Sequence, residues 1–112
     1  MFKNTIFLKN TSNYNFNFKK ILTSSNTLLI LNCNNINLQF KSKINKILLQ
    51  NCNNIKLNVS DMIGGIEIEK SKDIEIIIYK NKKINYLDVF NSNIKVNKLN
   101  YQLIYENSFI NL

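Results

Sequence analysis

The chain has 112 residues, a formal charge of +8, and no histidine, arginine, proline or tryptophan. That length is one domain, residues 1–112, with a modest core. It holds no apolar run of about eighteen residues, so no membrane-spanning helix is expected. Without histidine, a serine or cysteine nucleophile lacks its usual base, and a zinc site lacks half its usual ligands.

Asparagine (23), isoleucine (18) and lysine (15) make up half the chain. Their codons are A/T-rich, so genome bias explains much of the lysine. A +8 balance suggests nucleic acid, but a lysine-only surface reads better as solvated, and an acidic protein would suit it equally. We expect no nucleic-acid partner. Met1-Phe2-Lys3 opens no secretory apolar region and no myristoylation signal, so a cytoplasmic protein with no membrane partner is expected.

In chain order, residues 1–13 carry Ile6-Phe7-Leu8, an apolar strand expected to cover or pair with something. From Phe16 onward the chain repeats. Asn32-Cys33-Asn34-Asn35-Ile36 returns as Asn51-Cys52-Asn53-Asn54-Ile55, nineteen residues later, and more loosely as Lys70-Ser71-Lys72-Asp73-Ile74. Each copy leads into an alternating strand, giving one file Phe16, Ile36, Ile55, Ile74, Ile94 and beside it Phe18, Leu38, Leu57, Ile76, Val96. Half a period away stand Leu28, Ile47, Ile66, Leu87 and Ile30, Leu49, Ile68, Val89. Ile44, Ile63 and Ile84 precede them, with Leu103 continuing that file.

Two short strands per nineteen residues, each with one apolar face, describe a stacked coil. A meander would not keep every second strand in register. The expected fold is all-β: a short right-handed parallel β-helix of about five coils, two parallel sheets closing on one core. Asn34-Asn35, Asn53-Asn54 and Lys72-Asp73 supply the residues that tolerate corner conformations. Gly64-Gly65 marks a bulge or a close approach of another backbone. Cys33 and Cys52 share one column with Ser71, which reads as stacked buried thiols rather than a metal site.

Outward from one sheet stand Asn37, Lys56, Glu75 and Lys95, a ladder of structural surface charges. Outward from the other stand Leu29, Leu48, Glu67 and Asp88, then Leu31, Gln50, Glu69 and Phe90. The leucines form an apolar patch that needs a cover, either Ile6-Phe7-Leu8 or a partner. Glu67 and Glu69 lack the apolar pocket that would split their pKa values for acid–base work, and no Gly-rich phosphate loop is present. An enzyme is not expected, nor is a metal or any other cofactor.

The ungapped run Asn37 to Ile78 resembles the C-terminal domain of cyclase-associated proteins. It shares with that family Leu38-Gln39-x-Lys41-x-Lys43-Ile44-Asn45, then Asn51-Cys52, then Ser71-Lys72-Asp73. The resemblance implies the same β-coil, binding of monomeric actin, and nucleotide exchange on actin with filament turnover. Residues matched by it are Lys41, Lys43, Asn45, Asn51, Cys52, Glu67, Ser71, Lys72 and Asp73. Taking the outward patch and its neighbours together with the exposed matched positions, the candidate partner-binding residues are Leu29, Leu31, Lys41, Lys43, Lys46, Leu48, Glu67, Glu69 and Lys72. The family's C-terminal hairpin, exchanged between subunits, is expected to be absent here, since the chain stops at Leu112; a homodimer is possible, but that route to it is not expected.

A sister family, tubulin cofactor C, gives the alternative: a catalytically silent scaffold for tubulin or a small GTPase. Gln102-Leu103-Ile104-Tyr105-Glu106 resembles its last strand. Its Gln-x-Arg-x-His motif is replaced near Ile84-Asn85-Tyr86-Leu87, and without arginine its GTPase-stimulating activity is excluded in the known form.

Overall fold

The computed structural model describes residues 4–18 and 23–112, except for the side chain of residue 18. The described residues form twelve strands and no helix: β1 (Thr5–Lys9), β2 (Ser12–Phe18), β3 (Thr27–Leu31), β4 (Asn34–Phe40), β5 (Lys46–Gln50), β6 (Asn53–Val59), β7 (Gly65–Glu69), β8 (Lys72–Ile78), β9 (Tyr86–Phe90), β10 (Asn93–Val96), β11 (Gln102–Glu106) and β12 (Phe109–Asn111). Odd-numbered strands build one six-stranded sheet and even-numbered strands the other. Every pairing is parallel. Each turn of the chain thus lays one strand on each sheet: five full coils, then a shorter sixth from β11 and β12.

Strict alternation makes this possible. Inward residues of both sheets meet across the middle, where Leu28, Ile47, Ile66 and Leu87 stack with Ile30, Leu49, Ile68 and Val89, facing Ile36, Ile55, Ile74 and Ile94 with Leu38, Leu57, Ile76 and Val96. All are buried. One residue's slip would turn a strand's whole apolar set outward, so this core fixes the register.

One corner is built from a repeated polar device. Thr11, Cys33, Cys52, Ser71, Ser92 and Ser108 each donate their hydroxyl or thiol hydrogen to the carbonyl two residues earlier, as Ser71 Oγ does to Glu69 at 3.0 Å and Cys52 Sγ to Gln50 at 3.4 Å. The serine oxygens then accept the backbone N–H of the coil before: Cys52 to Ser71 at 3.1 Å, Ser71 to Ser92 at 3.0 Å, Ser92 to Ser108 at 3.1 Å. The residue before each column member, among them Asn32, Asn51 and Lys70, has positive φ, as do Asn13, Asn35, Asn54 and Asp73 further on. Asparagine tolerates that conformation better than most side chains. Its amides also form a ladder, Asn54 donating to Asn35 at 3.0 Å and Asn35 to Asn13 at 2.7 Å.

Four expectations need correction. Ile6-Phe7-Leu8 does not lie over the outward leucines: β1 pairs edge to edge with β3, Ile6 and Leu8 pack on the core, and Phe7 adds to the exposed file. The covering strand expected within residues 1–13 is therefore the odd sheet's first strand. Phe16 pairs with Leu38 rather than Ile36, whose partner is Tyr14, because the first coil is three residues longer than the second. Met62, not Ile63, bridges Ile44 and takes the buried place, leaving Ile63 47 % exposed. Leu103 pairs with Leu87 and so belongs to the Leu28 file.

Candidate docking face

The odd sheet's outward files are Phe7, Leu29, Leu48, Glu67, Asp88, Ile104 and Lys9, Leu31, Gln50, Glu69, Phe90, Glu106. The face is divided along the coil axis. The first three coils give it Lys9 and the apolar Phe7, Leu29, Leu31 and Leu48; the later ones give it Phe90, Ile104 and the acids Glu67, Glu69, Asp88 and Glu106. Those four are more than half of the seven acidic residues in a chain of charge +8. Where the halves meet, a shallow groove of about 320 Å³ is lined by Leu29, Leu48, Gln50, Glu67, Glu69 and Phe90.

Glu67 is the best-anchored acid on this face. Its Oε2 accepts a hydrogen bond from Tyr86 Oη at 2.8 Å and lies 3.5 Å from Lys46 Nζ. Partial burial, then the hydrogen bond and charge of Glu67, push the Tyr86 hydroxyl up to about 12. Asp88 stands beside Glu67 on the next strand. Burial pushes its carboxyl up from the usual value; the Glu67 charge adds to this and Lys46 opposes it. Its Oδ1 is buried and accepts no hydrogen bond. The pair is held by β-sheet register alone, since Glu67 and Asp88 are outward residues of adjacent strands.

Gly65 makes room for this arrangement. Its φ is ordinary, so turn geometry is not its role. A Cβ there would stand 2.0 Å from the Tyr86 carbonyl oxygen and 2.8 Å from the ring. The expected close approach is therefore real: the Tyr86 backbone carbonyl, with its ring beside it, occupies the space a side chain at 65 would need.

Of the residues expected to bind a partner, the structure brings Leu29, Leu31, Lys46, Leu48, Glu67 and Glu69 onto this face. Lys41 and Lys43 stand in the connection between β4 and β5, on the edge from which Lys46 enters the sheet; Lys41 Nζ lies 5.6 Å from the Tyr79 ring centre. Lys72 opens β8 at the opposite edge and does not share the face. Sequence reasoning placed Asp88 and Phe90 outward but did not join them to the site, and it missed Tyr86. An aromatic falling opposite a strand glycine is the signal that would have found it.

Other features carry less chemistry. A larger hollow of about 610 Å³ lies beside Phe109 over β8, β10 and β12, but its charged lining, Asp73, Glu75 and Lys95, converges on no buried polar group. Among the described residues, no three potential metal-ligating side chains cluster. Cys33 and Cys52 are free, buried thiols, as their column predicted. Among the described residues, no helix is long and apolar enough to cross a membrane.

Three comparisons bear on this geometry. A sequence model of the family described as "Adenylate cyclase associated (CAP) C terminal" matches residues 3–104. The fold is similar to the crystal structure of the cyclase-associated protein from Cryptosporidium parvum, with a TM-score of 0.77 at 20 % identity, covering 95 % of this chain and 70 % of that one. No curated protein matches by sequence.

Proposed function

The chain belongs to the family of cyclase-associated protein C-terminal domains, and from that premise we propose that it is a binding module for monomeric actin. The observation that carries the reading is the outward face of the odd sheet. There Leu29, Leu31 and Leu48, each half-buried, form a contiguous outward apolar patch beside Glu67 and Glu69. β1 pairs beside β3 and does not lie over them, which supports a partner as the cover they need.

Lys46 joins Glu67 on this face, and Lys41 and Lys43 border it; Lys72, at the far edge, would meet only a partner that wraps the corner. Actin bound here in the cytoplasm would have its nucleotide exchange, and so filament turnover, changed by the module. A tubulin cofactor C-like scaffold for tubulin or a small GTPase is not favoured, because the matching family and the similar structure are both of the cyclase-associated kind.

The test is fluorescence titration of labelled monomeric ADP-actin with the full chain, repeated with Leu48→Asp. Saturable binding at micromolar concentrations, weakened by the variant, is expected. Absence of binding overturns the reading, and capture of tubulin or a GTPase in its place supports the alternative.

A further inference from the structure

The carboxylates are the residues that composition does not explain. Lysine and asparagine follow from A/T-rich codons, yet four of the seven acidic residues face outward on one sheet. That face is a local inversion of sign on a protein of charge +8. Its acids are not equally satisfied. Glu67 has both Tyr86 and Lys46. Asp88, its neighbour across the strand, has a buried Oδ1 with no donor, and Glu69 makes no ion pair among the described residues. Asp88 as a whole is only partly buried, so a cation can approach its carboxylate from the solvent side while the enclosed oxygen stays without a donor. Beside these acids, Leu29 and Leu48 wall the apolar end of the groove.

We propose that this face docks a partner-protein segment presenting one aliphatic side chain to Leu29 and Leu48 and one lysine or arginine to Asp88 and Glu69. Leu48 and Asp88 stand two strands apart in one file, so the two side chains are set about 10 Å apart. Such a segment lies along the coil axis, across the strands. Nucleic acid and anionic lipid headgroups are repelled by the same carboxylates that receive the cation. The inference rests on the reading of this face as the actin-docking surface and specifies the chemistry any occupant must bring.

The experiment is an amide chemical-shift titration of the ¹⁵N-labelled full chain with two synthetic helical peptides that share their leucines. One carries lysines at the remaining positions and the other glutamates. The lysine peptide is expected to move amides of β5, β7 and β9 saturably, and the glutamate peptide to leave them in place. Asp88→Asn, its fold confirmed by its own spectrum, should weaken the lysine peptide several-fold, and Asp88→Lys should abolish the shifts. Equal response to both peptides, shifts mapping to the even sheet, or unchanged binding by Asp88→Asn overturns the proposal. If the lysine peptide binds as described and ADP-actin does not, actin is removed as partner and this chemistry stands. If ADP-actin binds Asp88→Lys as tightly as the native chain, actin stands and this chemistry falls.

Discussion

Tyr86 lies on Gly65, with its carbonyl oxygen 2.0 Å from where a Cβ on that glycine would stand, and its hydroxyl reaches Glu67 at 2.8 Å. Backbone, not the tip of a movable side chain, occupies the space. Gly65→Ala must therefore push β7 and β9 apart, which we expect to cost about 1–3 kcal/mol. At Gly64 the nearest atom to a new Cβ is the Asn45 carbonyl oxygen at 3.1 Å, and Gly64→Ala should change stability much less. Urea unfolding of the two variants checks this; equal losses would remove the special role of Tyr86.

Inward and outward positions of neighbouring strands should respond oppositely. Ile66, fully buried in β7, should cost about 2–5 kcal/mol on truncation to alanine. Leu48, outward on β5, should accept aspartate with the core still folded while partner binding is lost. Circular dichroism and unfolding midpoints separate the two. A Leu48→Asp chain that fails to fold would place Leu48 in the structural core rather than on a docking face.

The corner column predicts a graded series at Ser71. Its Oγ both donates to Glu69 and accepts from the Cys52 N–H. Ser71→Ala orphans that buried N–H and should cost about 1–3 kcal/mol. Ser71→Cys, the residue found at positions 33 and 52 of the same column, should cost less. Chemical denaturation ranks the pair, and a larger loss for cysteine would contradict the column's equivalence.

The site also has a pH signature at each end. Tyr86 keeps its proton up to about 12 when folded, against an ordinary 10.0 when unfolded. Its contribution is complete below the ordinary value and is lost as pH rises through the folded one. Tyr86→Phe should flatten that alkaline decline in part, because Tyr101, likewise pushed up to about 12 by burial, titrates in the same window. Asp88 behaves similarly at acid pH. Its raised carboxyl favours the fold most below the ordinary 3.8 and less as pH rises through its folded value. Thermal midpoints across pH for Asp88→Asn should lack that acid-side gain.

Much of this could be read before the coordinates, because a parallel coil writes its geometry as a period. Ile36, Ile55, Ile74 and Ile94 are in register as the sequence spacing requires, and so are Leu28, Ile47, Ile66 and Leu87. Phe16 was misaligned because the first coil departs from the period, and an alternating segment fits two registers equally well until its partner is known. Ile63 lost its place to Met62 because the unbranched methionine bends into the core from the connection between β6 and β7. The site was half legible. Outward leucines and acids follow from alternation, but the Tyr86–Glu67 bond and the orphaned Asp88 oxygen depend on side-chain reach across strands, which spacing does not encode.

The unequal coil lengths have one further consequence. Coils two and three carry the same five-residue corner and equal spacing, so a chain folding by local pairing could dock either strand set one coil out of place with little loss of apolar match. The first and fourth coils do not permit this shift. Thr5 meets Thr27 after 22 residues, and Ile66 meets Leu87 after 21. The fourth coil's surplus is held in the turn closed by Lys82 N–H on the Tyr79 carbonyl, with Asn81 at positive φ. The two longer coils act as a key, so that a self-similar sequence closes in one alignment only.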